Sequence, residues 1–341
     1  MSLTRTDTIL KYIVEYFIKH AEPVGSKTLI DEYHLPYSSA TVRNEMSALE
    51  KMGYIEKPHQ SAGRVPSSKG YKYYCEYLRD KSVDEEIKNS IQLILNKKTQ
   101  SIEETIKASC EILSHMTSLV SVFLGPDGKE ERLANVQLIQ VSEKTLTAIF
   151  VTDSGYVENK TFIVSESINP KDLVECVKLL NDRLVGTPVS ELVEKMEALR
   201  PVLNDYIINN DALYQAIIQT FLRFASDRLS LYGRDELFNQ PEFKNDIEKL
   251  ENVLKLIGDA DALKEFTGDD NDEVHLTIGD VENNPDVAVM TAKVKIGDSD
   301  NGSTIALIGP RRMDYEKAMA ALEYLVKMLE QYFQGEEKGE K

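Results

Sequence analysis

The chain has no tryptophan, three cysteines and five histidines in 341 residues, and these scarcities remove whole classes of function. Cys75, Cys110 and Cys176 are odd in number and far apart, which excludes a disulfide framework and a Cys-x-x-Cys metal site and predicts reduced thiols. His20, His34, His59, His115 and His275 never stand four apart, the spacing that puts two ligands on one helical face, so no metal site is expected. No nucleophile, base and orienting group can be assembled from residues so scattered, and no glycine-rich phosphate loop occurs. Neither an enzyme nor a cofactor is expected. No apolar run approaches the ~18 residues of a membrane span, and MSLTRTDTIL lacks the order of a signal peptide. The expectation is a cytoplasmic protein.

A length of 341 residues exceeds one typical domain and predicts two or three. The formal net charge of −17 is unevenly spread. Residues 1–80 hold 11 Lys and Arg against 10 Asp and Glu, whereas residues 81–341 hold 29 against 47. The first eighty residues are thus a different surface, as in a polyanion-binding module tethered to an acidic body.

Within that segment Ile9, Leu10, Ile13, Val14, Phe17 and Ile18 fall at the spacing of an amphipathic helix that ends near Ala21. Pro23 and Gly25 interrupt it, and Ser26 is placed to cap a short second helix with Leu29, Ile30 and Tyr33 inward. Ser38 or Ser39 can cap a third helix, SSATVRNEMSALEKMG, which Gly53 stops. On it Val42, Met46 and Leu49 share one face and Ala40, Asn44, Ser47 and Lys51 the other, with Thr41 and Arg43 flanking. A small polar face with an Arg and an Asn near the N-terminus suits the major groove, where both can make paired hydrogen bonds to base edges. An ordinary solvated face would carry the same residue types.

Tyr54, Ile55 and Glu56 then read as a strand, the following residues as a loop, and Val65 with Pro66 as the return, the order of a winged helix. In the loop Lys57, Arg64 and Lys69 can neutralise phosphates, Gly63 and Ala62 leave backbone amides open, and Gln60 and Ser61 can hydrogen-bond phosphate or sugar. Residues 66–74 read as the return strand and its anchor, with Tyr71, Tyr73 and Tyr74 mainly packing the wing onto the body. The candidate DNA-binding set is Ser26, Lys27, Ser39, Ala40, Thr41, Arg43, Asn44, Ser47, Lys57, His59, Gln60, Ser61, Gly63, Arg64 and Lys69.

Beyond Leu78 the charged segment RDKSVDEEIKNS reads as a hinge into a long helical pattern that breaks near residues 97–101. LVSVFL follows as a buried strand stopped by GPDG. RLANVQLIQVSEKTLTAIFVTDSGYVENKTFIVS contains three β-runs with short turns, an antiparallel meander. Helical patterns cover 169–184, a segment from Pro188, and Pro201 to about Arg228. RLSLYG, two helices in NDIEKLENVLKLIGDADALKEF, the strands VHLTIGD, AVMTAKVKI and STIALIGP, and a last helix complete the chain. With the helix and strand before residue 125, this is the element order of a GAF domain interrupted by an insertion. Arg311 and Arg312 beside Asp314 fit a subunit contact or a helix capped by Asp314.

EPVGSKTL, SSATVRNEMSALEKMGYIEKPHQSAGRVPSSKGYKYY and IGPRRMDY together resemble the HrcA family, the heat-inducible transcription repressors of bacteria. The likeness covers the whole chain and is densest over residues 5–80 and 308–315. Family members usually carry Thr where this chain has Gln60. The resemblance implies an α+β multidomain fold: a winged helix-turn-helix over 1–80, a GAF-like domain split between 81–125 and 223–341, and an inserted dimerising domain over 126–222 with a three-stranded antiparallel sheet and helices. It also implies a homodimer that represses chaperone operons at an inverted repeat on double-stranded DNA, the CIRCE element, and is kept competent by the GroEL chaperonin. VQLIQV and LTAIFV are apolar, β-prone and uncharged, and their exposure on heating would attract a chaperonin. The alternative is a winged-helix regulator whose GAF-like domain senses a small-molecule effector.

Overall fold

The computed structural model describes residues 3–59, 62–96, 102–125, 131–153, 155–163, 170–203, 214–215, 217–219, 221, 229–244, 246–268, 274–279, 281, 284–295 and 303–336. Gln60, Ser61, the break at 97–101, the GPDG turn beyond Gly125 and residues 222–228 lie outside the described residues. The chain divides into two compact units: Met1–Phe123 with Ser230–Val294 and Thr304–Lys341, and Leu124–Leu229 with Lys295–Ser303. Both mix helix with sheet, so the fold is α+β.

The first unit opens with α1 (Arg5–His20), whose N-terminus is closed by a reciprocal box. The Asp7 N–H donates to Thr4 Oγ1 at 3.1 Å, and the Thr4 N–H donates back to Asp7 Oδ2 at 3.3 Å. Ile9, Leu10, Ile13 and Val14 are buried as their spacing predicts. Helix α2 (Ser26–Tyr33) follows, with Gly25 and not Ser26 at the cap position. Helix α3 (Ser39–Lys51) is capped by Ser38, whose Oγ accepts the Thr41 N–H at 3.1 Å. A two-stranded antiparallel ribbon, β1 (Ile55–Glu56) and β2 (Val65–Pro66), comes next.

The ribbon is pinned to the connection between α1 and α2. Val24 and Arg64 exchange backbone hydrogen bonds at 2.9 and 2.8 Å. Gly63 therefore passes so close to Val24 that a Cβ there would meet its carbonyl carbon and oxygen at 2.5 Å.

The stretch 66–74, expected to be a return strand and anchor, is corrected by the structure. Strand β2 ends at Pro66, and Ser67 caps a helix, α4 (Ser68–Tyr73), that runs into a π-helical turn (Tyr74–Leu78). The Ser67 hydroxyl accepts from Gly70 at 3.1 Å and donates to the Gly53 carbonyl at 2.6 Å, so one side chain starts the helix and ties it to the end of α3. Gly70 lies over Tyr54, where a Cβ would be 2.0 Å from the carbonyl oxygen.

The hinge expected after Leu78 is also corrected, because its first residues are clamped. Arg79 is buried, donates to the Cys75 carbonyl at 2.9 Å and pairs with Glu323. The Asp80 N–H donates to Glu316 Oε2 at 3.2 Å.

Helices α5 (Glu85–Leu95) and α6 (Ile102–Thr117) pack together and lead to β3 (Val120–Leu124). After the second unit come β7 (Leu229–Tyr232), the short helices α9 (Glu236–Asn239) and α10 (Pro241–Lys244), then α11 (Ile247–Ile257) and α12 (Ala260–Lys264). Strands β8 (His275–Ile278), β9 (Val287–Val294) and β10 (Ser303–Pro310) complete a five-stranded sheet of order β7-β3-β10-β9-β8. Every residue of β10 is buried, as suits a strand central in the sheet. The last helix, α13 (Tyr315–Glu336), packs on β9, α5 and α6.

The turn into α13 carries the two arginines. Asp314 caps the helix, its Oδ1 accepting the Lys317 N–H at 3.0 Å. Arg312 donates to the Ile18 carbonyl at the end of α1 at 3.0 Å and pairs with Glu242 of α10, while Arg311 reaches Glu56 of β1 at 3.5 Å.

The second unit contains β4 (Leu133–Ser142), β5 (Thr145–Thr152) and β6 (Val157–Ile163) as an antiparallel meander, with α7 (Pro170–Leu184) and α8 (Leu192–Leu203). Leu146, Ala148 and Phe150 of β5 bury one sheet face against Cys176, Leu180, Leu192 and Met196. The Asn181 amide pairs with both backbone groups of Val136, at 2.9 and 2.8 Å. Pro201, expected to open a new helix, instead lies inside α8, whose end is carried on by the buried Leu203.

Two substitutions test this frame by chemical denaturation. Gly63→Ala forces a methyl against the Val24 backbone and is expected to cost about 1–3 kcal/mol. Arg312→Ala leaves Glu242 and the Ile18 carbonyl without their partner and is expected to cost about 2–3 kcal/mol. Each should lower the unfolding midpoint at unchanged slope.

Candidate nucleic-acid interface

Helix α3 buries Val42, Met46 and Leu49 and turns Ala40, Arg43, Asn44, Ser47 and Lys51 to solvent. Glu45, on its flank, is tied to α1 by the Thr6 hydroxyl at 2.7 Å and by Arg5 at 3.7 Å. The exposed face is not uniformly available for contacts. The Ser47 hydroxyl donates to the Arg43 carbonyl one turn back at 2.9 Å, and the Thr41 hydroxyl lies 2.9 Å from Ser38 Oγ at the cap. Arg43 donates through Nε to Ser26 Oγ at 3.4 Å, and Ser26 Oγ lies 3.0 Å from Ser39 Oγ. Ser26 is buried, so it stands behind the face and not on it. Lys27 is exposed beside it.

On the ribbon Lys57 and His59 are exposed, and the His59 carbonyl accepts the Ala62 N–H at 3.1 Å. Gln60 and Ser61 lie outside the described residues. Arg64 is directed inward to the protein: its Nε and Nη2 both donate to Glu50 Oε2 of α3, at 3.0 and 2.7 Å. Lys69 donates to the Met52 carbonyl at 2.9 Å and sits 4.6 Å over the Tyr54 ring. The absence of a side chain at Gly63 is used in the approach to Val24.

These contacts give the local charge its sign. Between residues 33 and 75 there are three carboxylates, and each has a cationic partner: Glu45 with Arg5, Glu50 with Arg64, and Glu56 with Arg311. Two of those partners come from outside the segment. Lys27, Arg43, Lys51 and Lys57 remain exposed with no ion pair to a described residue, four free cations on a chain of net charge −17. Exposed pairs contribute little stability, but they cancel the negative field that would repel a polyanion.

Glu50 and Arg311 are the residues the sequence could not nominate. Arg64 and Glu50 are fourteen residues apart and Arg311 and Glu56 more than two hundred, so no helical or strand spacing signals either pair.

Elsewhere the chemistry is quiet. Cys75, Cys110 and Cys176 are all buried, and burial pushes each thiol up to about 12, far from a reactive thiolate at neutral pH. A cavity of about 220 Å³ between α11 and the start of β9 is lined by Phe243, Asp246, Lys249, Asn284 and Asp286, with the Lys249 ammonium paired to Asp286. It is smaller than the roughly 300–1,000 Å³ of typical small-molecule sites. No described helix is long and apolar enough to cross a membrane.

A family model described as HrcA protein C terminal domain matches residues 103–319. The chain is 37% identical over 326 residues to the heat-inducible transcription repressor HrcA of Halalkalibacterium halodurans, covering 94% of each chain. It is also 37% identical over 342 residues to the HrcA of Bacillus pumilus, covering 96% of this chain and 97% of that one. A crystal structure of a hypothetical protein at 2.2 Å resolution is similar along 98% of this chain and 99% of its own, with a TM-score of 0.71 and 25% identity. With relatives this alike from end to end and a family model spanning more than half its length, the chain belongs to the HrcA family.

Proposed function

We propose that this protein is a heat-inducible transcription repressor that binds an inverted-repeat operator, the CIRCE element of the family, as a homodimer. In this reading residues 1–80 are a winged helix-turn-helix, 81–125 and 223–341 a split GAF-like domain, and 126–222 an inserted dimerising domain. The observation that carries it is the set of exposed cations Lys27, Arg43, Lys51 and Lys57, which form no ion pair to a described residue while Glu45, Glu50 and Glu56 are each paired to an arginine.

Arg43 and Asn44 are the base readers, with Ala40 small enough to let the α3 backbone approach the groove floor. Ser39, Lys27, Lys57, His59, Gln60 and Ser61 contact the phosphate backbone. Arg64 and Lys69 brace the wing, since part of each donor set is spent on Glu50 Oε2 and on the Met52 carbonyl, and their remaining donors face phosphate.

Dimerisation is supported by the outer face of the three-stranded sheet. The register places Gln137 and Ile139 of β4, Thr147, Ile149 and Val151 of β5, and Val157, Asn159 and Thr161 of β6 on that face, none of them charged. Ile139 and Val157 are 46% and 47% exposed. A charge-free face that alternates aliphatic and uncharged polar side chains suits a second copy of itself. The same strands, once opened by heat, are what a GroEL-type chaperonin would capture, and a lone half binds a single half-site far more weakly than a dimer binds two.

Titration onto a duplex bearing the inverted repeat and onto a random duplex tests the DNA reading. Arg43→Ala is expected to lose about 1–3 kcal/mol on the specific duplex alone. Lys57→Ala should weaken both duplexes alike and reduce the salt slope by about one. Identical behaviour of the two variants on both duplexes would sink the assignment. Ile149→Asp puts a charge in the middle of the outer sheet face; sedimentation should then report a monomer, with operator affinity reduced to that of a half-site. A variant that stays dimeric would remove this face from the interface.

A further inference from the structure

Ser26 stands at the first position of α2 and is 7% exposed. Its Oγ lies 3.0 Å from Ser39 Oγ and 3.4 Å from Arg43 Nε, which brings the starts of two helices onto one buried oxygen. The polarity of one bond in that network follows from donor chemistry. A guanidinium nitrogen can only donate, so Ser26 Oγ accepts from Arg43. Ser26 Oγ also shares a hydrogen bond with Ser39 Oγ in which either hydroxyl can be the donor. Arg43 Nη1 and Nη2 make no hydrogen bond to a described residue, and the rigid fork they form matches the paired acceptors of a guanine edge.

Resting on the reading of α3 as the helix that reads bases, we infer that Ser26 is a positioning residue for sequence discrimination. It does not touch DNA. It holds the plane of the Arg43 guanidinium through Nε, and its contact with Ser39 ties the starts of α2 and α3 together, so one oxygen behind the interface sets the pose of a base reader. Ordering a long, rotamer-rich side chain before DNA arrives lowers the entropy lost on binding, an effect on the order of two- to tenfold in affinity. Because the ordered group is a base reader, the effect falls on the specific duplex.

The test uses the full-length protein and two duplexes of equal length, one bearing the inverted repeat and one scrambled, with the specific-to-scrambled affinity ratio as readout. Ser26→Ala is expected to lower that ratio about two- to tenfold. Ser26→Thr, which keeps the hydroxyl, should restore it, and Ser26→Ala should lower it no further in an Arg43→Ala background. If the alanine variant fails to fold, Ser26→Cys, similar in size but a weak acceptor, is expected to show the same fall. A structural role alone would lower affinity for both duplexes and leave the ratio unchanged. That result, or losses from Ser26→Ala and Arg43→Ala that add in full, overturns the positioning role while the reading of α3 stands. A ratio unchanged by Arg43→Ala overturns that reading and this inference with it.

Discussion

The guanidinium of Arg312 is where the first unit is joined. A helix leaves its last carbonyls without intrahelical partners, and α1 supplies one of them, Ile18 O, to Arg312 at 3.0 Å. The same guanidinium pairs with Glu242 of α10, so segments near residues 18, 242 and 312 meet at one side chain. Around it the contact is aromatic and buried: the Tyr71 and Tyr315 rings lie 5.0 Å apart, and the Tyr74 hydroxyl donates to Glu316 at 3.1 Å. Arg79, paired with Glu323, extends the contact along α13. The three N-terminal helices and their ribbon are thereby fastened to the end of the chain by a continuous strip of side chains and not left on a charged tether.

Charge follows from this arrangement. An acidic protein that binds a polyanion must cancel its own carboxylates where the partner lands, and the N-terminal segment does so with arginines from α1, from the ribbon and from the turn before α13. Arg311 is instructive, because it serves the charge of Glu56 from 255 residues away. The balance of one positive charge in the first eighty residues understates the surface they present. What a partner meets is the set of cations left after pairing, and pairing is a property of the folded chain.

Much of the local architecture was legible because short-range physics decides it. The α1 stripe, the Ser38 cap, the break after Gly53 and the period-two burial of β5 each depend on residues within a few positions of one another. Two of the misreadings share one cause. Residues 66–74 carry aromatics that suit a strand, but Ser67 takes both an amide and a carbonyl into its hydroxyl and starts a helix lying on Tyr54. The charged composition after Leu78 resembles a tether, yet Arg79 finds Glu323 across the unit. In each case a contact between residues distant in sequence outweighed local propensity.

The candidate site divides along the same line. Sequence by itself determined which helix faces outward, which residues it shows and which family the chain resembles, since periodicity, capping and motif order are local and additive. Tertiary structure alone decided which of those residues remain available: Gly63 serves the approach to Val24, Arg64 belongs to Glu50, and the Ser26 hydroxyl is turned onto Arg43. The physical reason is that a donor or a charge has few partners to give, and only the packed chain determines which neighbour takes them first.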